Sequence, residues 1–165
     1  GRFWAYQHFG LTPDIVSCAK ALANGLPMGA MLATDEAARG FEAGSHATTF
    51  GGGALVSAVA AKTVEILRRD NLDARAAALG AAFRDKAEAL RQRLGGAIAE
   101  VRGLGLMIGI ELTADGAPVW KELLRRGLIC NLSHGTTLRL LPALTIDAAD
   151  LDRFLETLEA ILSGK

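Results

Sequence analysis

Residues 3–34 read FWAYQHFGLTPDIVSCAKALANGLPMGAMLAT. Its start, Phe3 to Gly10, is aromatic-rich and closes on a glycine, the pattern of a short helix with a left-handed cap. Thr12-Pro13-Asp14 is a turn signal. Ile15 to Ala19 is a short run of small and β-branched residues, which predicts a buried strand running into Lys20. Asn24-Gly25-Leu26-Pro27 is a loop, and Met28 to Thr34 is a second apolar run. Thr34 followed by Asp35-Glu36 marks a helix start, with acids where the helix dipole favours them.

Beyond it, Gly44 to Gly53 (GSHATTFGGG) is a loop of small residues feeding an Ala-rich helix, Ala54 to Arg69, with Leu55, Val59, Val64 and Leu67 near helical spacing. Asp70-Asn71 breaks that helix. A second long helix runs from about Leu72 to Leu94 and stops at Gly95-Gly96. The texture then changes. Ile98–Val101 and Leu106–Leu112 read as strands split by a Gly103-Leu104-Gly105 turn, and Val119–Arg126 as a short helix closed by Gly127. Leu128–Leu132 and Leu138–Leu141 read as further strands. Asp147 N-caps a closing amphipathic helix that reaches Leu162. This last part predicts a compact α+β unit, with its boundary in or just after the helix 72–94.

The chain has 165 residues, 50% hydrophobic and 22% charged, with 18 basic against 18 acidic side chains. That length suits one domain or two small ones and can bury a core without staples. A balanced charge argues against a general nucleic-acid or membrane-surface binder. No apolar run is long enough to span a membrane, and no signal-peptide pattern opens the chain. Cys18 and Cys130 lie in apolar surroundings without CxxC spacing, which predicts reduced core thiols and a cytoplasmic protein. Nineteen glycines imply many tight turns.

Four features can carry chemistry. Lys20 ends an apolar strand among small uncharged residues, and a desolvated lysine has a nucleophilic amine suited to Schiff-base formation; the ordinary alternative is a lysine extending to solvent. Thr48-Thr49-Phe50-Gly51-Gly52-Gly53 opens a helix, where hydroxyls and free N–H groups form an anion site or simply a cap. Arg139 lies in a buried-looking strand, where a guanidinium needs a carboxylate or phosphate partner, unless that strand face is exposed. Glu111 is a possible partner for it. The run Gly103-Leu-Gly105-Leu-Met-Ile-Gly109 is GxGxxxG opening a strand, and is read as structural. His8, His46 and His134 lie far apart, so metal binding has no support.

Together these stretches resemble the class III aminotransferases dependent on pyridoxal phosphate (PLP), nearest their acetylornithine branch. Residues 3–34 resemble the segment around the cofactor lysine, and HATTFGGGALVSAVA (46–60) the phosphate-contacting loop. VRGLGLMIGIEL (101–112) and LRLLPALTI (138–146) resemble small-domain strands. The resemblance covers the whole chain in the family's order and implies an α/β, type I PLP-enzyme fold. Residues 1–70 would be the C-terminal part of the large cofactor-binding domain, 71–95 a bridging helix, and 96–165 a small α+β domain.

By that resemblance Lys20 forms the Schiff base with PLP and moves a proton at the substrate carbon. Thr49 donates to the cofactor phosphate in the neighbouring subunit's site, Thr48 lies beside substrate, and Arg139 lies near a substrate carboxylate. Relatives usually read TYGGN where this chain has Phe50-Gly51-Gly52-Gly53, so a contact made by that Asn is missing. The implied activity is transfer of the δ-amino group of N-acetylornithine to 2-oxoglutarate in arginine biosynthesis, by a cytoplasmic homodimer. The nearest alternatives are ornithine, succinylornithine or 4-aminobutyrate as donor, and a non-catalytic association domain is the rival of another class. The resemblance also implies that the chain is the C-terminal fragment of such an enzyme, inactive by itself.

Overall fold

A computed structural model describes residues 1–164 and divides them into two compact units. One is Phe3–Asn71; the other runs from Leu72 onward and includes Gly1 and Arg2.

The first unit opens with a 3-10 helix, Ala5–Phe9, closed as expected by Gly10 at φ 63°. Strands β1 (Ile15–Cys18) and β2 (Ala30–Ala33) pair antiparallel, Ile15 opposite Ala33 and Cys18 opposite Ala30. Between them lies a second 3-10 helix, Lys20–Ala23. Thr34 caps helix α1 (Asp35–Ala38) by accepting from the Ala37 N–H at 3.3 Å. Helix α2 (Ala54–Arg69) has the bounds its sequence predicts and packs against the Lys20–Ala23 turn. Ala23 and Ala60 are the buried apolar side chains of this unit; their size lets helix and turn approach closely.

The strand expected to be buried is not. Ile15 is 54% exposed and Met31 and Leu32 on β2 are also open, while Val16 and Cys18 are only half-buried, because a two-stranded ribbon has no second sheet to enclose it among the described residues.

The second unit has a true core. Helix α3 (Leu72–Arg93) carries buried Leu72, Ala76, Gly80, Phe83, Ala87 and Leu90 along one stripe. Strands β3 (Ile98–Leu104), β4 (Met107–Leu112), β5 (Asn131–Ser133) and β6 (Thr137–Leu140) form an antiparallel sheet in the order β3-β4-β6-β5. Helices α4 (Ala117–Arg125) and α5 (Ala148–Leu162) join α3 over one sheet face, where Leu123, Phe154 and Leu158 meet Ile108, Ile110 and Leu138. From the segment 71–95, Ala76, Phe83, Ala87 and Leu90 belong to this unit's core.

Several boundaries shift. The turn between β3 and β4 is Gly105-Leu106, and Gly103 lies inside β3 with φ 142°; a Cβ there would collide with the Met107 carbonyl oxygen. A Cβ on Gly80 would likewise strike the Gly105 carbonyl, so α3 rests directly on this hairpin. The glycine run is structural, as read. Helix α4 starts two residues earlier than expected, with Pro118 in its first turn. It ends in a Schellman motif, Leu128 N–H to Leu123 O at 2.9 Å and Gly127 N–H to Leu124 O at 3.0 Å. Residues 128–130 are irregular, so β5 is shorter and later than the expected strand 128–132. Asp147 sits at the N-cap of α5 but its side chain makes no capping bond.

Candidate active site

Lys20 does not end β1; it starts the following 3-10 helix with φ 56°, in the left-handed region that a side chain enters at a cost of about 1 kcal/mol or more. Asn24 (φ 46°) and Gly25 (φ 112°) turn the chain again four residues on. The tight bonds Leu22 N–H to Ala19 O, Asn24 N–H to Ala21 O and Leu26 N–H to Ala23 O, at 3.0–3.2 Å, hold this double turn in place. It lines an open depression of about 690 Å³ with Lys20, Ala21, Asn24, Gly25, Leu26, Pro27 and Met28. The lysine is exposed and has no hydrogen bond or ion pair among the described residues. Its apolar sequence neighbours do not enclose it, so the desolvation expected from sequence is not supplied by this unit.

Pro27 and Met28 also line an adjoining depression of about 310 Å³ at the start of α2, with Gly29, Thr48, Phe50, Gly51–Gly53, Val56 and Ser57. Thr48 faces this depression; Thr49, beside it in the chain, is exposed and does not line it. A Cβ on Gly51 would collide with the methyl of exposed Thr48, so that side chain would have to turn. Gly53 caps α2 without a side-chain bond. The first-turn N–H groups of α2 therefore lack an intrahelical or side-chain acceptor, the usual condition for anion binding at a helix start.

Arg139 belongs to the second unit. It is exposed on β6, on the sheet face away from the helices, and has no ion pair among the described residues. Its strand is buried on one side only: Leu138 and Leu140 enter the core and Arg139 alternates outward. Glu111 lies on the same face but is not its partner. Arg102 on β3 takes Glu111 at 2.8 Å and Glu100 at 2.9 Å. The Thr136 and Thr137 hydroxyls also donate to the Glu111 carboxylate. These donors, the two threonines first and then Arg102, lower the Glu111 carboxyl from 4.5 to about 2.

The pH consequence follows from that direction. The unfolded chain takes up a proton near the ordinary value while the folded one does not, so this group's stabilisation is complete above about 4.5 and is lost as the pH falls toward about 2. Glu111→Gln is expected to flatten that part of the acid limb in denaturant midpoints measured from pH 6 to pH 2. An unchanged limb would show that the carboxylate is not held as described.

Sequence reasoning missed Arg102. The signal was present in the hairpin: a turn at Gly105-Leu106 puts Arg102 opposite Gly109 and Glu100 opposite Glu111, whereas a turn at 103–105 hides both pairs. Cys18 and Cys130 are half-buried rather than core thiols, and burial raises the Cys130 thiol to about 11. Among the described residues no cluster of His, Cys, Asp or Glu could hold a metal ion, and no helix is long and apolar enough to cross a membrane.

The model of the family described as aminotransferase class-III matches residues 1–162. The chain belongs to the class III aminotransferases. It is 38% identical over 163 residues to an acetylornithine aminotransferase from Methanocaldococcus jannaschii, covering 99% of this chain and 41% of that protein. It is 39% identical over 164 residues to an ornithine aminotransferase from an Exiguobacterium species, covering 99% and 40%. The chain thus spans about two fifths of the length of these relatives. A solved ornithine aminotransferase from Toxoplasma gondii, with PLP in partial occupancy at its active site, superimposes with a TM-score of 0.92 at 29% identity, over 99% of this chain and 40% of that one. The fold is the α/β fold of these PLP aminotransferases.

Proposed function

We propose that the complete protein is a PLP-dependent aminotransferase that moves the δ-amino group of N-acetylornithine to 2-oxoglutarate. Its setting would be arginine biosynthesis, and its working form a cytoplasmic homodimer. The observation that carries this reading is Lys20, an unpartnered lysine set in a left-handed turn at the mouth of a depression, in a chain of this family. Residues up to about 70 then form the end of the cofactor-binding domain and residues from about 96 the small domain.

The first unit carries donors suited to each end of PLP, and by the resemblance the two sets serve the sites of different subunits. An aldehyde needs an accessible primary amine, which Lys20 offers, and a phosphate needs N–H and O–H donors, which the start of α2 and the Thr48-Thr49 hydroxyls offer. When bound, PLP supplies an electron sink for the substrate carbon that bears the amino group. Lys20 Nζ would hold the cofactor, and as a free amine it would take and return the proton at that carbon. Thr49 and the N–H groups of α2 bind phosphate, by the resemblance in the neighbouring subunit's site. Thr48 lies beside substrate, and Arg139 offers a bidentate guanidinium to a substrate carboxylate.

Ornithine as donor is the second reading, because relatives of nearly equal identity carry each name. The complete protein assayed with 2-oxoglutarate against N-acetylornithine, ornithine, succinylornithine and 4-aminobutyrate decides between them. The highest kcat/KM is expected for N-acetylornithine. A preference for free ornithine overturns the donor assignment, and no transfer from any of the four overturns the activity.

A further inference from the structure

Lys20 has one polar companion in the depression it opens on. The other lining residues, Ala21 and Gly25 to Met28, bring no polar side chain; Asn24 brings a carboxamide. A mostly apolar hollow with a few converging polar groups is the usual make-up of a small-molecule site. Here the two groups are an amine and an amide.

The backbone sets both firmly. Lys20 (φ 56°) and Asn24 (φ 46°) stand at the two ends of one short turn, each in the left-handed region. The Asn24 N–H donates to Ala21 O at 3.0 Å, and Ala23 just before it is fully buried in the turn against which α2 packs. A left-handed backbone does not by itself call for a carboxamide, because glycine enters that region more freely, as Gly25 does at the next position. Neither side chain has a hydrogen bond among the described residues, so each is free to meet the other.

We infer that Asn24 is a positioning residue: its carboxamide oxygen accepts from Lys20 Nζ and holds the free amine over the depression for proton transfer at the substrate carbon. The inference rests on the reading of Lys20 as the cofactor lysine and adds to it the group that orients the amine. A lysine on its flexible stem loses time in unproductive rotamers, and a fixed acceptor removes that freedom before the reaction. The acceptor is uncharged, so it orients the amine without favouring the protonated form as a carboxylate would.

The test uses the complete PLP-loaded protein with 2-oxoglutarate and the best of the four amino donors. Asn24→Gly keeps the left-handed backbone and removes only the amide. It is expected to lower kcat about 10-fold, the scale of one hydrogen bond to a charged group, with KM nearly unchanged and borohydride still fixing the cofactor on Lys20. Asn24→Asp places a carboxylate at the same reach. The acid limb of kcat against pH is expected to move up by about half a unit or more, because the charge favours the protonated amine. The charged groups of α2, the helix packed on the turn, are Lys62, Glu65, Arg68 and Arg69, and none of them lines the depression. Parent-like turnover in Asn24→Gly, or an unmoved profile in Asn24→Asp, overturns the inference. Lys20→Ala separates it from the reading beneath it. If Lys20→Ala keeps its turnover, Lys20 is not the cofactor lysine. If Lys20→Ala collapses while both Asn24 variants behave as the parent, that reading stands and the role given to Asn24 is wrong.

Discussion

Lys20→Ala in the complete protein is expected to lower amino transfer by about 10³-fold or more at saturating PLP. The substitution removes one amine that has two duties, covalent attachment of the cofactor and proton transfer at the substrate carbon. The fold should survive it. Lys20 is exposed, makes no ion pair among the described residues, and sits in a left-handed conformation that Ala tolerates no worse than Lys. Circular dichroism and thermal melting should therefore match the parent while turnover collapses. Turnover within a few-fold of the parent would remove Lys20 from the chemistry.

Phe83→Ala is expected to cost the second unit about 3–5 kcal/mol, the range for truncating a buried aromatic. Phe83 is 2% exposed on α3, and its ring lies 6.4 Å from that of Phe154 on α5. Removing it leaves a hole in the core between two helices that also carry the exposed ion pairs Lys86–Asp152 and Arg93–Glu159. Surface pairs of that kind are worth little and will not compensate. A typical domain has a total stability of about 5–15 kcal/mol, so the loss should be evident as an earlier urea midpoint, read from a probe in residues 72–164. Leu55→Ala on α2, where the side chain is 74% exposed, is the contrast: its first unit should shift by less than about 0.5 kcal/mol. Equal effects from the two variants would contradict the placement of the core.

The contrast between the units also explains what could be read from the residues alone. Helices α2 and α3 were legible to within a residue, because Ala-rich composition, apolar spacing and the Asp70-Asn71 break all point the same way. Strand positions were legible, but burial in the first unit was not. Ile15–Cys18 has the composition of an interior strand, and composition cannot say whether a covering layer is present. In the second unit the error that bears on Glu111 has one source. Placing the hairpin turn at 103–105 instead of Gly105-Leu106 changes which residues face each other, and register alone sets who meets Glu111. Arg139 was picked out by its residue type, while the partners of Glu111, Arg102 on β3 and Thr136 and Thr137 at the start of β6, were not. Lys20 shows the same division: its identity was visible in sequence, its left-handed backbone was not.

The role of Lys20 can be examined without any turnover at all. The complete protein, incubated with PLP and reduced with borohydride, would be digested and its peptides sequenced by mass spectrometry. A phosphopyridoxyl group is expected on Lys20, in the peptide that spans residues 3–34, and it should be absent from the Lys20→Ala protein. Stoichiometric label on Lys62, Lys86 or Lys121 instead, or no label on Lys20 with PLP saturating, would contradict the assignment of Lys20 as the lysine that carries the cofactor.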